Sequence, residues 1–235
     1  MIRPILGIDA DDTLWHNETI FQLTIERFSR LLGNHALSDH LAERLIATER
    51  KNLRLYGYGI KGFTLSMVET AITVADDGLP SSVIAEILAL GHEMLEHPVE
   101  PLPGVADTLT NLKRDGHRLV VITKGDLLDQ EQKLARSGLG DLFDAVEIVS
   151  EKTPEVYARI FGRFGAGEGE AVMIGNSAKS DILPALAAGH WGFHVPYHVT
   201  WEAEIAEVPE DAPRYRRLTR FDEVPAALTS IGRRG

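Results

Sequence analysis

The stretch Ile5-Leu6-Gly7-Ile8-Asp9-Ala10-Asp11-Asp12-Thr13 decides how the rest of the chain is read. Its apolar start is too short for a helix and ends abruptly in acid, the pattern of a buried strand that delivers carboxylates to its own carboxyl end. Asp9 and Asp11 are two residues apart, so on a continuing strand both point to the same side. Carboxylates that close repel, which leaves one poised to hold a proton or draws in a cation. In such a pair one carboxylate can serve as nucleophile and the other as general acid and base.

Past Thr13 the periodicity becomes helical and stays so over 17–97. Phe21, Ile25, Phe28 and Leu32 recur at spacings of four, three and four; Leu65, Val68, Ile72 and Ala75 obey the same rule, as do Ile84, Ile87, Leu88, Gly91 and Leu95. Each set predicts one face of an amphipathic helix. Ser38 is placed as the N-cap of a further helix over 41–53, and Tyr56-Gly57-Tyr58-Gly59 reads as a loop. From Pro98 onward the pattern alternates. Strands are predicted at 118–123, 145–149, 171–174 and 192–195, with helices at 105–114, 127–137, 154–164 and 181–188. Thr153 and Pro154 suit the N-cap and first position of the third of these helices. Gly116, Gly138 and Gly189 close the others. After His198 the chain turns polar, with Phe221, Val224 and Leu228 spaced for a last helix. Alternating strands and helices predict an α/β protein: a Rossmann-like parallel-sheet core with helices on both faces. An all-helical cap domain, 15–97, is inserted after the first strand, and the core comprises 1–14 plus 98–235.

A length of 235 residues suits such a core with a smaller companion. The 24 basic against 35 acidic residues give a net charge of −11, which argues against binding to nucleic acid or to an anionic membrane. The absence of Cys excludes disulfides, Cys-ligated zinc and a thiol nucleophile. With no signal-peptide pattern after Met1 and no long apolar run, a cytoplasmic protein is expected. His92-Glu93-Met94-Leu95-Glu96-His97 places its second His five residues on, off the first one's face, so it is no zinc-protease helix. His190, His194 and His198 stand at intervals of four, but Gly192 and Pro196 break any helix there. Gly165, Gly167 and Gly169 precede a strand and form no dinucleotide fingerprint.

Ligands of open parallel sheets bind beyond the carboxyl ends of the strands. The residues at and just past those ends are Asp9, Asp11 and Thr13, then Thr123 and Lys124, then Lys152, then Asn176 and Asp181. Such a set suits a cation together with an anion. Asp181 would complete an all-oxygen site suited to Mg2+. Thr123 can donate to a phosphoryl oxygen, and Lys152 can offset charge on phosphate and nucleophile. In the helical segment, Arg54 and Lys61, with Arg50, Lys51, Tyr56 and Tyr58 nearby, are candidates for contacting an anionic substrate.

In order and on these elements, the residues resemble the four motifs of the haloacid dehalogenase superfamily. Asp9-Ala10-Asp11-Asp12-Thr13 matches D-x-D-x-T; Thr123 ends the second motif's strand; Lys152 supplies the third. Gly175-Asn176-Ser177-Ala178-Lys179-Ser180-Asp181 matches the fourth motif, G-D-x-x-x-x-D. The resemblance implies that Asp9 attacks phosphorus to form an aspartyl-phosphate, while Asp11 protonates the leaving alcohol and then deprotonates water. It implies that Mg2+ is held by Asp9, the Asp11 carbonyl and Asp181, with Asn176 beside them, and that Thr123 and Lys152 hold the phosphoryl group. Asp at position 11 resembles the phosphatases and phosphomutases of the family; its dehalogenases lack it. Two departures stand out. Asn176 replaces an acid, which removes a negative charge from the metal site, and Asp12 replaces a Gly in the first turn. A phosphatase of a small phosphorylated metabolite, monomeric or homodimeric, is the leading expectation. A phosphomutase or a phospho-ligand binder weakened by Asn176 are the alternatives.

Overall fold

A computed structural model describes residues 3–33, 40–75, 78–209 and 211–231. Among them six strands form one sheet: β1 (Ile5–Ile8), β2 (Leu119–Lys124), β3 (Ala145–Val149), β4 (Ala171–Gly175), β5 (Trp191–His194) and β6 (Tyr215–Arg217). Their order is β3-β2-β1-β4-β5-β6, and all of these pairings are parallel. The short edge strand β6 lies in the polar tail, where the sequence shows no strand signal. It is recruited by pairing with β5, with Tyr215 buried at its start.

Alternation along the strands builds two cores, because successive side chains point to opposite faces. Leu6, Ile8, Leu119, Val121, Val172, Ile174 and Phe193 face one way. They are covered by α5 (Val105–Arg114), through Val105, Leu109 and Leu112, and by α9 (Val224–Ile231). Ile5, Val120, Ile122, Ala171 and Met173 face the other way, against Tyr157, Ile160 and Phe161 of α7 (Pro154–Arg163) and Ala185 of α8 (Leu183–Ala187). The predicted helix over 181–188 is a wide π turn, Ala178–Ile182, running into α8 with Pro184 near its start.

Between β1 and α5 the chain is helical: α1 (Glu18–Leu32), α2 (Leu41–Tyr56), α3 (Ile60–Val74) and α4 (Ser81–Glu96). Contacts divide the chain into two compact units, one made of 1–18, 99–124 and 132–235, the other of 19–98 and 125–131. The first half of α6 (Leu127–Arg136) therefore groups with the helices. Trp15 belongs to the sheet unit, fully buried in its core, where the two connecting segments pair: Trp15 bridges Pro101, and Leu102 N–H donates to Leu14 O at 2.8 Å. No helix among the described residues is long and apolar enough to cross a membrane.

The helical unit has its own core, built on Phe28, Leu32, Leu41, Leu45, Phe63, Met67 and Ile87. Ser38 lies outside the described residues; His40 occupies the position before α2. In α3 the buried stripe is Ile60, Phe63, Met67, Ala71 and Val74, whereas Leu65 and Ile72 are exposed. The helix is apolar on more than one side, and the stripe carrying the bulkier Phe63 and Met67 takes the core. In α4 the buried stripe is likewise shifted, to Val83, Ile87, Leu90, Gly91 and Met94, which leaves Leu88 exposed. Gly91 permits the close approach of α4 to α3: a Cβ there would lie 2.3 Å from Thr64 Oγ1 and 2.9 Å from Thr64 Cγ2. Gly91→Val is expected to destabilise the protein by about 1–3 kcal/mol through overpacking, read as a lower thermal unfolding midpoint; an unchanged midpoint would contradict this packing.

Candidate active site

Strand register places the site. Ile8 pairs with Ile174 in β4 and Val121 in β2, and Asp9 N–H continues the ladder to Ile174 O at 2.9 Å. Asp9 is thereby held beside the end of β4 and is almost fully buried. Lys152 lies after β3 and precedes Thr153-Pro154, where Thr153 caps α7 by accepting from Val156 N–H at 3.4 Å. The residue before a proline is driven to extended backbone, and this turn from strand to helix carries Lys152 to the interior. Its Nζ lies 2.5 Å from Asp9 Oδ1 and 2.6 Å from Asp181 Oδ1.

Asp181 is completely buried in the π turn that follows β4. Its Oδ2 accepts Ser177 N–H at 2.9 Å, and Ser177 Oγ in turn accepts Ser180 N–H at 2.9 Å. Gly175 is required here for space: a Cβ would sit 2.2 Å from Asp181 Oδ2. Thr13 Oγ1 lies 3.1 Å from Asp9 Oδ2 and 3.2 Å from Asn176 Oδ1, and accepts Asn176 N–H at 3.1 Å. Thr123 is buried at the end of β2, its hydroxyl 3.2 Å from Lys124 O.

One ammonium thus faces two buried carboxylates, and the charge is not balanced. Burial, helped by Asp181, pushes the Asp9 carboxyl up to about 7 despite Lys152. Burial pulls the Lys152 ammonium down, but Asp181 and Asp9 together hold its pKa above the ordinary lysine value. No group of three or more His, Asp or Glu side chains among the described residues is arranged around a metal. The donors expected from the sequence, Asp9, Asp181, the Asn176 amide and the Asp11 carbonyl, are all oxygens, the kind a hard divalent cation takes. The excess buried negative charge, already bridged by one cationic group, fits such an ion.

Asp11 does not share these partners. The chain turns at Ala10, whose carbonyl accepts the amides of Thr13 at 3.2 Å and Leu14 at 2.8 Å, so the strand does not continue. Asp11 Oδ1 accepts from Trp15 Nε1 at 2.8 Å and from Lys133 Nζ at 3.1 Å, and Lys133 also donates to Asn17 Oδ1 at 2.9 Å. Asp12 adopts a φ of 60°, the left-handed region that glycine favours and that Asp tolerates better than most residues. Its buried carboxylate accepts the amides of Asn17 at 2.8 Å and Glu18 at 3.0 Å, capping the start of α1. The replacement of Gly by Asp in this turn therefore adds a helix cap.

Lys124 Nζ is bonded to Glu204 Oε1 at 2.7 Å and Ser180 Oγ at 2.9 Å. His194, at the end of β5, lies with Nε2 2.9 Å from Asn176 O, and burial lowers its pKa. His190 packs edge-on against Phe161 in the core. In the helical unit Arg54 is exposed in the last turn of α2, and Lys61 pairs with Asp126 at 2.8 Å. Lys133, Glu204, Ser177 and Ser180 are polar groups of the site region that the motifs do not single out. Only the serines lie within a motif, and the other two arrive from α6 and the polar tail.

The model of the haloacid dehalogenase-like hydrolases matches residues 5–189. The chain belongs to this family of hydrolases. It is 35% identical over 134 residues to a glyceraldehyde 3-phosphate phosphatase of Methanothermobacter thermautotrophicus, covering 53% of this chain and 59% of that protein. A glyceraldehyde 3-phosphate phosphatase of Methanopyrus kandleri is 28% identical over 196 residues, 80% of this chain and 82% of its own. A solved haloacid dehalogenase-like hydrolase from Xanthomonas campestris superposes with a TM-score of 0.88 at 39% identity, covering 100% of this chain and 95% of that one.

The buried acids lead to two expected outcomes. The carboxyls of Asp9, at about 7, and Asp12, pushed up mainly by burial to about 8, both lie above the unfolded value of 3.8. Groups raised in this way contribute stability that is full below the unfolded pKa and is lost as pH rises through the folded one. The melting temperature in EDTA is expected to fall from about pH 4 to about pH 8, the span between the unfolded and folded values, and Asp9→Asn to flatten that fall; a rise instead would refute the charge imbalance. For Asp12, Ala loses the cap and strains the left-handed backbone, whereas Gly loses only the cap. Urea unfolding should rank wild type above Asp12→Gly above Asp12→Ala, with the last down by about 1–3 kcal/mol.

Proposed function

We propose that the chain is a phosphoric monoester hydrolase acting on a small phosphorylated metabolite, with Mg2+ as cofactor and Asp9 as the nucleophile. The observation that carries this reading is the buried Asp9 carboxylate bonded to Lys152 and set beside Asp181. Attack on phosphorus needs an ionised carboxylate, and Lys152 favours that form while burial keeps it basic. The phosphatases among the relatives support the reaction class.

In the first half-reaction an Asp9 oxygen bonds to phosphorus as the ester P–O bond breaks, and Asp11 gives its proton to the departing alcohol. In the second, Asp11 takes a proton from water, the water oxygen bonds to phosphorus, and the P–O bond to Asp9 breaks. For these steps Asp11 must give up its bonds to Trp15 and Lys133. Thr123 and Lys152 hold the phosphoryl oxygens by hydrogen bonding and charge. Asp9, Asp181, Asn176 and the Asp11 carbonyl would hold Mg2+, which when bound would supply positive charge against the dianionic phosphate. Arg54 and Lys61 of the helical unit are assigned to recognition of the substrate.

The test is a panel of phosphate esters, including a simple aryl phosphate, assayed with Mg2+ and with EDTA. Wild type should release phosphate only with Mg2+. Asp9→Asn should lower turnover by about 10^3-fold or more, as loss of a nucleophile does. Intact turnover in that variant would sink the mechanism, and activity that depends on a sugar bisphosphate would point to a mutase.

A further inference from the structure

The sequence neighbours of Thr123, Asn176 and Asp181 include a second set of groups that bind an anion, and the anion comes from the chain. Lys124 adjoins Thr123 at the end of β2; Ser177 and Ser180 lie in the loop that carries Asn176 and Asp181. Their three donors converge on Glu204, which arrives from the turn Glu202–Glu204. Glu204 Oε1 lies 2.7 Å from Lys124 Nζ, Ser177 Oγ donates to Oε2 at 2.5 Å, and Ser180 Oγ bonds the same oxygen. The side chains of Lys124 and Glu204 are only 12% and 16% exposed, so the pair is largely withdrawn from solvent. Lys179 Nζ fastens the turn by bonding Ala203 O at 2.6 Å. Burial works against an ionised Glu204, but Lys124 and the two hydroxyls hold its pKa below the usual carboxylate value.

An ammonium and two hydroxyls around a carboxylate form a site that a carboxylate or phosphate of a ligand would also fit. Here the occupant is intramolecular and pre-positioned, so an external anion competes against a high effective concentration. It also meets the negative charge of Glu204 itself at short range. We propose that Glu204 fills an anion subsite made by Lys124, Ser177 and Ser180, and thereby selects phosphate monoesters whose remaining part is uncharged. This inference rests on the phosphatase reading and deepens it by naming the substrate class: polyol or carbonyl phosphates in preference to phosphate esters that carry a carboxylate. Lys124 is then a residue whose charge is spoken for by Glu204, and Glu204 determines specificity.

The experiment measures binding by calorimetry in the Asp9→Asn background, where turnover does not intervene. The probes are glycerol 3-phosphate, with an uncharged remainder, and phosphoglycolate, with a carboxylate. The parent should bind glycerol 3-phosphate more tightly. Adding Glu204→Gln should tighten phosphoglycolate by about tenfold or more, the fold-change of one charged hydrogen bond, and leave the glycerol 3-phosphate affinity within about threefold. Adding Lys124→Met as well should abolish the gain. If Glu204→Gln does not fold, Glu204→Asp, which draws the charge back by one methylene, should give a smaller gain in the same direction. Equal changes for both ligands would make Glu204 a brace of the loop and overturn the proposal, as would no change. Failure of the phosphatase reading shows elsewhere, as absence of phosphate release by the wild type from every ester of the panel; the ratio of the two affinities still decides the subsite.

Discussion

The Lys152 ammonium between the carboxylates of Asp9 and Asp181 is the interaction on which the site depends. Both acids are buried, and two carboxylates this close in a poorly solvated place repel each other strongly. One cation makes their coexistence possible, at the cost that removing it leaves uncompensated buried charge, an effect worth about 3–5 kcal/mol in comparable pairs. The same imbalance explains why a divalent cation suits the site and why Asp9 is more basic than a surface carboxylate. Stability and the proposed chemistry therefore pull on the same three side chains.

The sheet makes this convergence possible with residues far apart in sequence. Parallel register sets the ends of β1, β2, β3 and β4 along one edge, so each strand releases its next residues toward the same region. Small details then aim the groups. The absence of a side chain at Gly175 leaves room for the Asp181 carboxylate. Thr153 and Pro154 start α7 directly after Lys152. The turn at Ala10 separates Asp11 from Asp9, giving the proposed acid and base partners distinct from those of the proposed nucleophile. Asp12 uses a left-handed backbone to cap α1, so a residue that looks like a flaw in the motif stabilises the start of the helical segment.

Much of this was legible along the chain because its signals are local. An apolar run ending in acid, Thr-Pro before a helix, and Gly after one are short-range physics, and five of the six strands announce themselves in this way. The missing strand, β6, is three residues in a polar tail, and it exists because β5 offers it an unpaired edge. The exposed faces of α3 and α4 show a second limit. Where a helix is apolar on several sides, periodicity offers more than one stripe, and the choice falls to whichever side chains fill the neighbouring space. Phe63 and Met67 do so; Leu65 and Ile72 do not.

Asp9, Lys152 and Asp181 carry their meaning in one dimension, since strand ends and motif spacing place them at one edge without further information. Lys133 and Glu204 do not. One comes from α6 and the other from a turn near residue 204, and neither has a local pattern that connects it to Asp11 or Lys124. Their roles arise because a buried charge must find a partner, and which partner is near is a property of packing. The residue order was enough to predict a parallel α/β sheet with a carboxylate site at its edge. Which acid faces a lysine, which lysine is already neutralised, and hence which substrates the site would favour depend on distances set when the chain is folded.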